Sequence, residues 1–240
     1  LLALAYLVRV PAVYRVEPAQ LRVDPKIAAR IVRIGLPTGL QNAVFAIANI
    51  VIQAAINSLG TIVIAASSAA FNLEIIAYYV LNSFSQACTT FVGQNYGAGQ
   101  FQRCRKTLWL CLAEDAIASG TAIALVLFSG KFLLSLFSSD PQVIAIGYTR
   151  LLLVFTAYTF SMLYEVMSGY LRGFGISLVP AILTTIGVCG VRIAWIRGVF
   201  PHFRTFPVIM AAYPLSLSIT ALLIFIAVLI YRPARKGAEE

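Results

Sequence analysis

Six stretches of this chain are each long and apolar enough to cross a lipid bilayer, and that property constrains the fold more than any motif does. A hydrocarbon core about 30 Å thick takes roughly 20 helical residues at about 1.5 Å each. The stretches run about 34–58, 61–92, 107–136, 142–171, 177–200 and 207–231, the first to sixth spans below. Helix breakers separate them: Leu59-Gly60, Gly97-Ala98-Gly99, Asp140-Pro141, Gly173-Phe174-Gly175 and Phe206-Pro207. The ten-residue alternating segments of a membrane barrel are not visible. The expected fold is all-α and polytopic, with a six-helix transmembrane lobe over 34–231. Residues 1–33 read as the end of a preceding membrane helix and a linker between lobes, and 232–240 as a tail. Leu1-Leu2-Ala3-Leu4-Ala5-Tyr6 opens without methionine, basic n-region or cleavage site, so the chain is expected to be a fragment.

Composition excludes the main rivals. Of the 240 residues, 60% are hydrophobic and 11% charged, where a soluble domain carries about 25% charged residues. An ordinary soluble enzyme, a disordered chain and a disulfide scaffold are ruled out together. Cys88, Cys104, Cys111 and Cys189 form no CxxC, and His202 is the sole histidine, so the cysteines read as small buried hydrophobes rather than metal ligands.

The net charge of +9 is a matter of topology. Thirteen Lys and Arg lie between Arg9 and Arg33, at Arg103, Arg105 and Lys106, at Arg172, and at Arg232, Arg235 and Lys236. The opposite connections hold three, Lys131, Arg197 and Arg204, while Arg150 and Arg192 fall inside the fourth and fifth spans. The positive-inside rule puts the linker and C-terminus in the cytoplasm of a cell inner (plasma) membrane. Attraction to anionic lipid accounts for the excess charge, and no nucleic-acid partner is expected.

Polar residues inside the spans point to function. An ionisable group at mid-bilayer costs roughly 2.5–3.5 kcal/mol on insertion scales. Three places qualify: Glu74 in the second span, Glu114-Asp115 in the third and Glu165 in the fourth. Glu74 has no basic residue near it in sequence. Glu165 has Arg172 two turns away on its own face, where it is able to compensate the charge, and Glu114-Asp115 lies within reach of the cytoplasmic interface. Helical spacing gathers the uncharged residues into stripes. The first span presents Asn42, Asn49, Gln53 and Asn57 with Gln41 beside them. The second presents Ser67, Glu74, Tyr78, Ser85 and Thr89 with Asn82 and Gln86 flanking, and the fourth Tyr158, Ser161, Glu165, Ser168 and Arg172. Two readings stand: three helices lining one aqueous cavity, or hydrogen bonding between helices worth about 0.6 kcal/mol per contact. In the first, a carboxyl in the cavity exchanges a proton for a cation, or holds Na⁺ with amide and hydroxyl oxygens. No HExxH, no paired metal-binding carboxylates and no histidine-partnered nucleophile at a plausible depth is present, so an enzyme is not expected.

Four motifs then carry a resemblance. Ile34-Gly35-Leu36-Pro37-Thr38-Gly39-Leu40-Gln41 opens a span. Gly93-Gln94-Asn95-Tyr96-Gly97-Ala98-Gly99 precedes Arg103, Arg105 and Lys106. Gly169-Tyr170-Leu171-Arg172-Gly173-Phe174-Gly175 precedes Pro180, and Gly190-Val191-Arg192-Ile193-Ala194-Trp195 follows. In this order and spacing they resemble the second half of the multidrug and toxic compound extrusion (MATE) transporters. The resemblance implies a twelve-helix protein of two six-helix lobes related by a pseudo-twofold along the membrane normal. It implies Na⁺- or H⁺-coupled export of organic, often cationic, compounds by alternating access, no cofactor beyond the coupling ion, and a first lobe as partner. Glu165 is similar in placement to an acidic residue of helix ten used by members in the cation site, and Glu74 resembles an acid of helix eight in one bacterial subgroup. Where many members carry a glutamate in the first span, this chain has only Gln41, Asn42, Asn49, Gln53 and Asn57. By their depth and isolation Glu74 and Glu165 are the coupling candidates, and Gln41, Asn42, Asn49, Gln53, Tyr78 and Asn82 the substrate-path candidates. A lipid-linked saccharide flippase and a non-transporting half-protein or membrane scaffold are the alternatives. The flippase reading predicts a more basic cavity.

Overall fold

The computed structural model describes residues 22–236 together with Tyr6, Val8 and Arg9. The remaining residues of 1–10, expected to end an earlier span, and the linker at 11–21 lie outside the described residues. Six long apolar helices follow: α1 Pro25–Asn57, α2 Thr61–Gly97, α3 Phe101–Ser135, α4 Pro141–Gly173, α5 Leu178–Gly198 and α6 Phe206–Tyr231. A short α7, Pro233–Lys236, closes the described chain. Each helix overlaps one expected span, with α2 running on to Gly97 past the expected 92 and α3 starting at Phe101 ahead of 107, and no strand occurs among the described residues.

Local chemistry sets most boundaries. Asp24 caps α1, its Oδ1 accepting from the backbone N–H of Lys26 at 2.7 Å and Ile27 at 3.3 Å, with Pro25 at the first helical position. Asp140 and Pro141 repeat the device at α4, where Asp140 accepts from the Gln142 N–H at 2.8 Å. A side-chain acceptor satisfies donors that the first turn leaves open, and proline lacks the donor that would be left over. Gly60 and Gly99 turn the chain at φ +103° and +69°, which a residue with a Cβ rarely adopts. The first helix starts at Pro25 rather than near 34: Lys26, Arg30 and Arg33 are too polar for an apolar span yet are good helix formers.

The fourth helix is the centre of the lobe. It packs against α2, α3 and α6, and from Tyr164 to Leu171 every side chain or glycine on it is buried. Glycines allow the closest approaches. A Cβ on Gly169 would collide with the Ser85 carbonyl oxygen on α2, and one on Gly173 would stand 2.6 Å from Val92 Cγ1. The hydroxyls of the same seam bind across it, Ser85 Oγ donating to the Glu165 carbonyl at 2.7 Å and Thr89 Oγ1 to that of Gly169 at 3.1 Å. In α5 a π turn, Thr185–Gly190, interrupts the α geometry, and a Cβ on its Gly187 would strike Thr220 of α6. All four cysteines are buried and unbridged. Trp109, Ile117 and Phe128 of α3 stand 63%, 71% and 95% exposed, an apolar surface suited to lipid rather than water.

Candidate functional site

The polar stripes of the first, second and fourth helices meet around one cavity of about 600 Å³. α1 supplies Gln41, Asn42 and Asn49; α2 supplies Glu74, Tyr78, Asn82 and Gln86; α4 supplies Tyr158, Ser161, Tyr164, Glu165 and Arg172. Positions seven and eleven residues apart return to the same face of a helix, which is why stripes so far apart in sequence converge. The fifth helix adds Arg192 and the sixth Tyr213 and Leu217, none of which lay on a stripe expected from sequence. Gln53 lies elsewhere. It lines an adjoining recess with Asn49, Ser67, Arg150 and Tyr213, and its amide donates to Asn57 Oδ1 at 2.8 Å.

Glu74 is not the isolated carboxylate that its sequence neighbours imply. Arg150, 76 positions later on α4, meets it through two bonds: Nε donates to Oε1, and Nη2 to Oε2 at 2.8 Å. The guanidinium also donates through Nη1 to Ser67 Oγ, and the two charged side chains are 4% and 3% exposed. A planar fork on a carboxylate is among the strongest ion-pair geometries, and with both groups buried, removing either one would leave an uncompensated charge. Arg150 further lies 5.7 Å from the centre of the Phe71 ring and 6.0 Å from that of Tyr213. Arg192 sits 4.2 Å over the same Tyr213 ring and donates from Nε to Ser216 Oγ at 3.2 Å. The spans thus carry a cation cluster that polarity stripes alone did not reveal. Its only sequence signal was an arginine standing alone in each of two spans.

Glu165 is placed differently. It is 7% exposed, lines the cavity, and has no ion-pair partner within 4 Å among the described residues. Arg172 acts on it through space, as expected from their shared face, but without a direct pair: its Nη2 donates to Ser85 Oγ at 2.8 Å, and Ser85 Oγ donates to the Glu165 backbone carbonyl. The Glu114-Asp115 pair divides: Glu114 is exposed, whereas Asp115 is fully buried rather than reaching the interface, its Oδ1 accepting from Ser119 Oγ. Neither lines the cavity. The chemistry available here is an aromatic-walled pocket with amide dipoles, one neutralised ion pair and one buried carboxyl that has no direct ion pair among the described residues.

The comparisons agree with this architecture. Residues 37–195 match the MatE family profile. A probable multidrug resistance protein NorM of Chromobacterium violaceum is 29% identical over 168 residues, which is 69% of this chain and 36% of that protein. The multidrug resistance protein PmpM of Pseudomonas aeruginosa is 32% identical over 165 residues, 67% of this chain and 34% of that one. The outward-facing structure of a multidrug resistance MATE family transporter superposes with a TM-score of 0.84 at 16% identity, covering all of this chain and 54% of that one. The matched segments thus cover about a third of the length of these relatives, and the chain about half of that structure. A family profile that runs from the first helix into the fifth, over a six-helix membrane lobe of this shape, leaves one conclusion: the chain belongs to the MatE family, whose members are transport proteins and not enzymes.

Proposed function

We propose that this chain is the second six-helix lobe of a drug-efflux antiporter in an inner (plasma) membrane. It moves small organic compounds, mostly cations, outward in exchange for Na⁺ or H⁺, and a first lobe of the same polypeptide completes the site. The single observation carrying the reading is Glu165, a carboxyl with no direct ion pair among the described residues, on the wall of a cavity rich in tyrosines and amides and near Arg172. A carboxyl in that position either takes up a proton or pairs with a cation, and the two compete. Tyr78, Tyr158 and Tyr164 supply aromatic rings for an organic cation, whereas Tyr213 already carries Arg192 over its face. Because Arg150 occupies Glu74, we assign the coupling ion to Glu165 and give Glu74 the work of holding α2 to α4. Gln41, Asn42, Asn49, Tyr78 and Asn82 border the substrate, whereas Gln53 serves the adjoining recess.

One observation favours a second reading. Arg172 and Arg192 both line the cavity, and a basic cavity is what a lipid-linked saccharide flippase needs for a pyrophosphate. The full-length protein in proteoliposomes separates the two. Drug efflux predicts loss of ethidium driven by an imposed Na⁺ or H⁺ gradient and no movement of a lipid-linked pyrophosphoryl sugar. Sugar movement without ethidium efflux supports the flippase, and movement of neither supports a scaffold.

A further inference from the structure

On the side of α4 opposite the cavity lies a second concavity, of about 700 Å³, walled by α3, α4 and α6 and closed at one end by α7. Its walls are apolar, with Leu112, Leu163, Leu222 and Phe225 among them, and no acidic side chain among the described residues lines it. Two arginines stand at its rim, Arg105 from the first turns of α3 and Arg232 from the cap of α6, both exposed and neither in an ion pair within 4 Å among the described residues. Trp109, 63% exposed, sits one turn below Arg105. The α6 wall runs from Ser218 to Leu229, about 16 Å at about 1.5 Å per residue. That is the depth of one leaflet of a bilayer whose core is about 30 Å thick.

We infer that this groove binds one anionic phospholipid, its phosphate between Arg105 and Arg232 and an acyl chain along α6 down to Ser218. The occupant follows from the pattern of charge and depth. An apolar protein helix docking there would leave both guanidiniums without a counter-charge, and a soluble anion would leave the leaflet-deep apolar trough empty. An anionic lipid satisfies both, with the indole at headgroup level, where tryptophan concentrates. The two basic residues discriminate against zwitterionic lipid because each contributes attraction at the membrane surface. The site needs only that the lobe spans a membrane, so it stands or falls apart from the transport reading.

Native mass spectrometry of the full-length protein, released from mild detergent with phosphatidylglycerol or phosphatidylcholine of matched chains, tests it. The expected result is one retained phosphatidylglycerol, with preference over phosphatidylcholine falling about fivefold in either R105Q or R232Q. The preference disappears in the double variant and returns in R105K/R232K. S218W, which plugs the deep end, should shift retention toward shorter acyl chains without altering the headgroup preference. Equal retention of the two headgroups by the natural protein would overturn the proposal, as would an unchanged preference in R105Q/R232Q. A chain-length profile that S218W leaves unmoved would mean surface attraction rather than seating in the groove, and would also sink it.

Discussion

Glu74 and Arg150 illustrate what a single side chain gains from a partner that local sequence does not show. A stripe of polar residues on α2 marks Glu74 as facing the bundle interior, and that much is readable from helical spacing. Its partner lies 76 positions away on α4, and pairing over that distance depends on how two helices cross, which periodicity within one helix does not contain. Asp115 is a similar case: its distance from the helix end suggested access to the interface, and packing buried it beside Ser119 instead. Removing one member of the buried pair leaves the other uncompensated. Glu74→Gln or Arg150→Met should therefore destabilise the lobe by about 3–5 kcal/mol each. The double variant should cost clearly less than the sum, in a double-mutant cycle followed by denaturant unfolding in detergent. Additive losses would mean that the two side chains act separately.

At the level of the helices, apolar length and breakers located nearly every boundary, because lipid demands both the length and the internal hydrogen bonding of a helix. Two features escaped. The N-terminal turns of α1 are helical but polar, so hydropathy alone starts the helix late. The π turn in α5 changes hydrogen-bond spacing without changing composition, and becomes visible only where Gly187 presses on Thr220 of α6. Close contacts of this kind make a prediction about glycine. Gly187→Ala and Gly169→Ala should each cost about 1–3 kcal/mol by overpacking. Gly97→Ala, where a Cβ meets nothing within 4 Å, should leave thermal unfolding almost unchanged. Equal effects at all three positions would contradict the packing account.

The whole molecule brings three polar stripes into one cavity, and the stripes, though not the convergence, were legible beforehand. Charge bias supplies an orientation that experiment is able to check. Cysteine placed at Ser139, between α3 and α4, should react with an impermeant maleimide applied outside whole cells, and cysteine at Gln100, between α2 and α3, should not. The reverse labelling would invert the proposed topology. A partner lobe likewise predicts an intact mass for the native product of about twice the 26.0 kDa of this chain. The central claim, however, rests on one carboxyl. Its most direct test is gradient-driven ethidium efflux from proteoliposomes of the full-length protein carrying Glu165→Gln. The account predicts that efflux no longer responds to the imposed Na⁺ or H⁺ gradient while the protein remains folded and binds the dye. Gradient-driven efflux at the natural rate in that variant would contradict it.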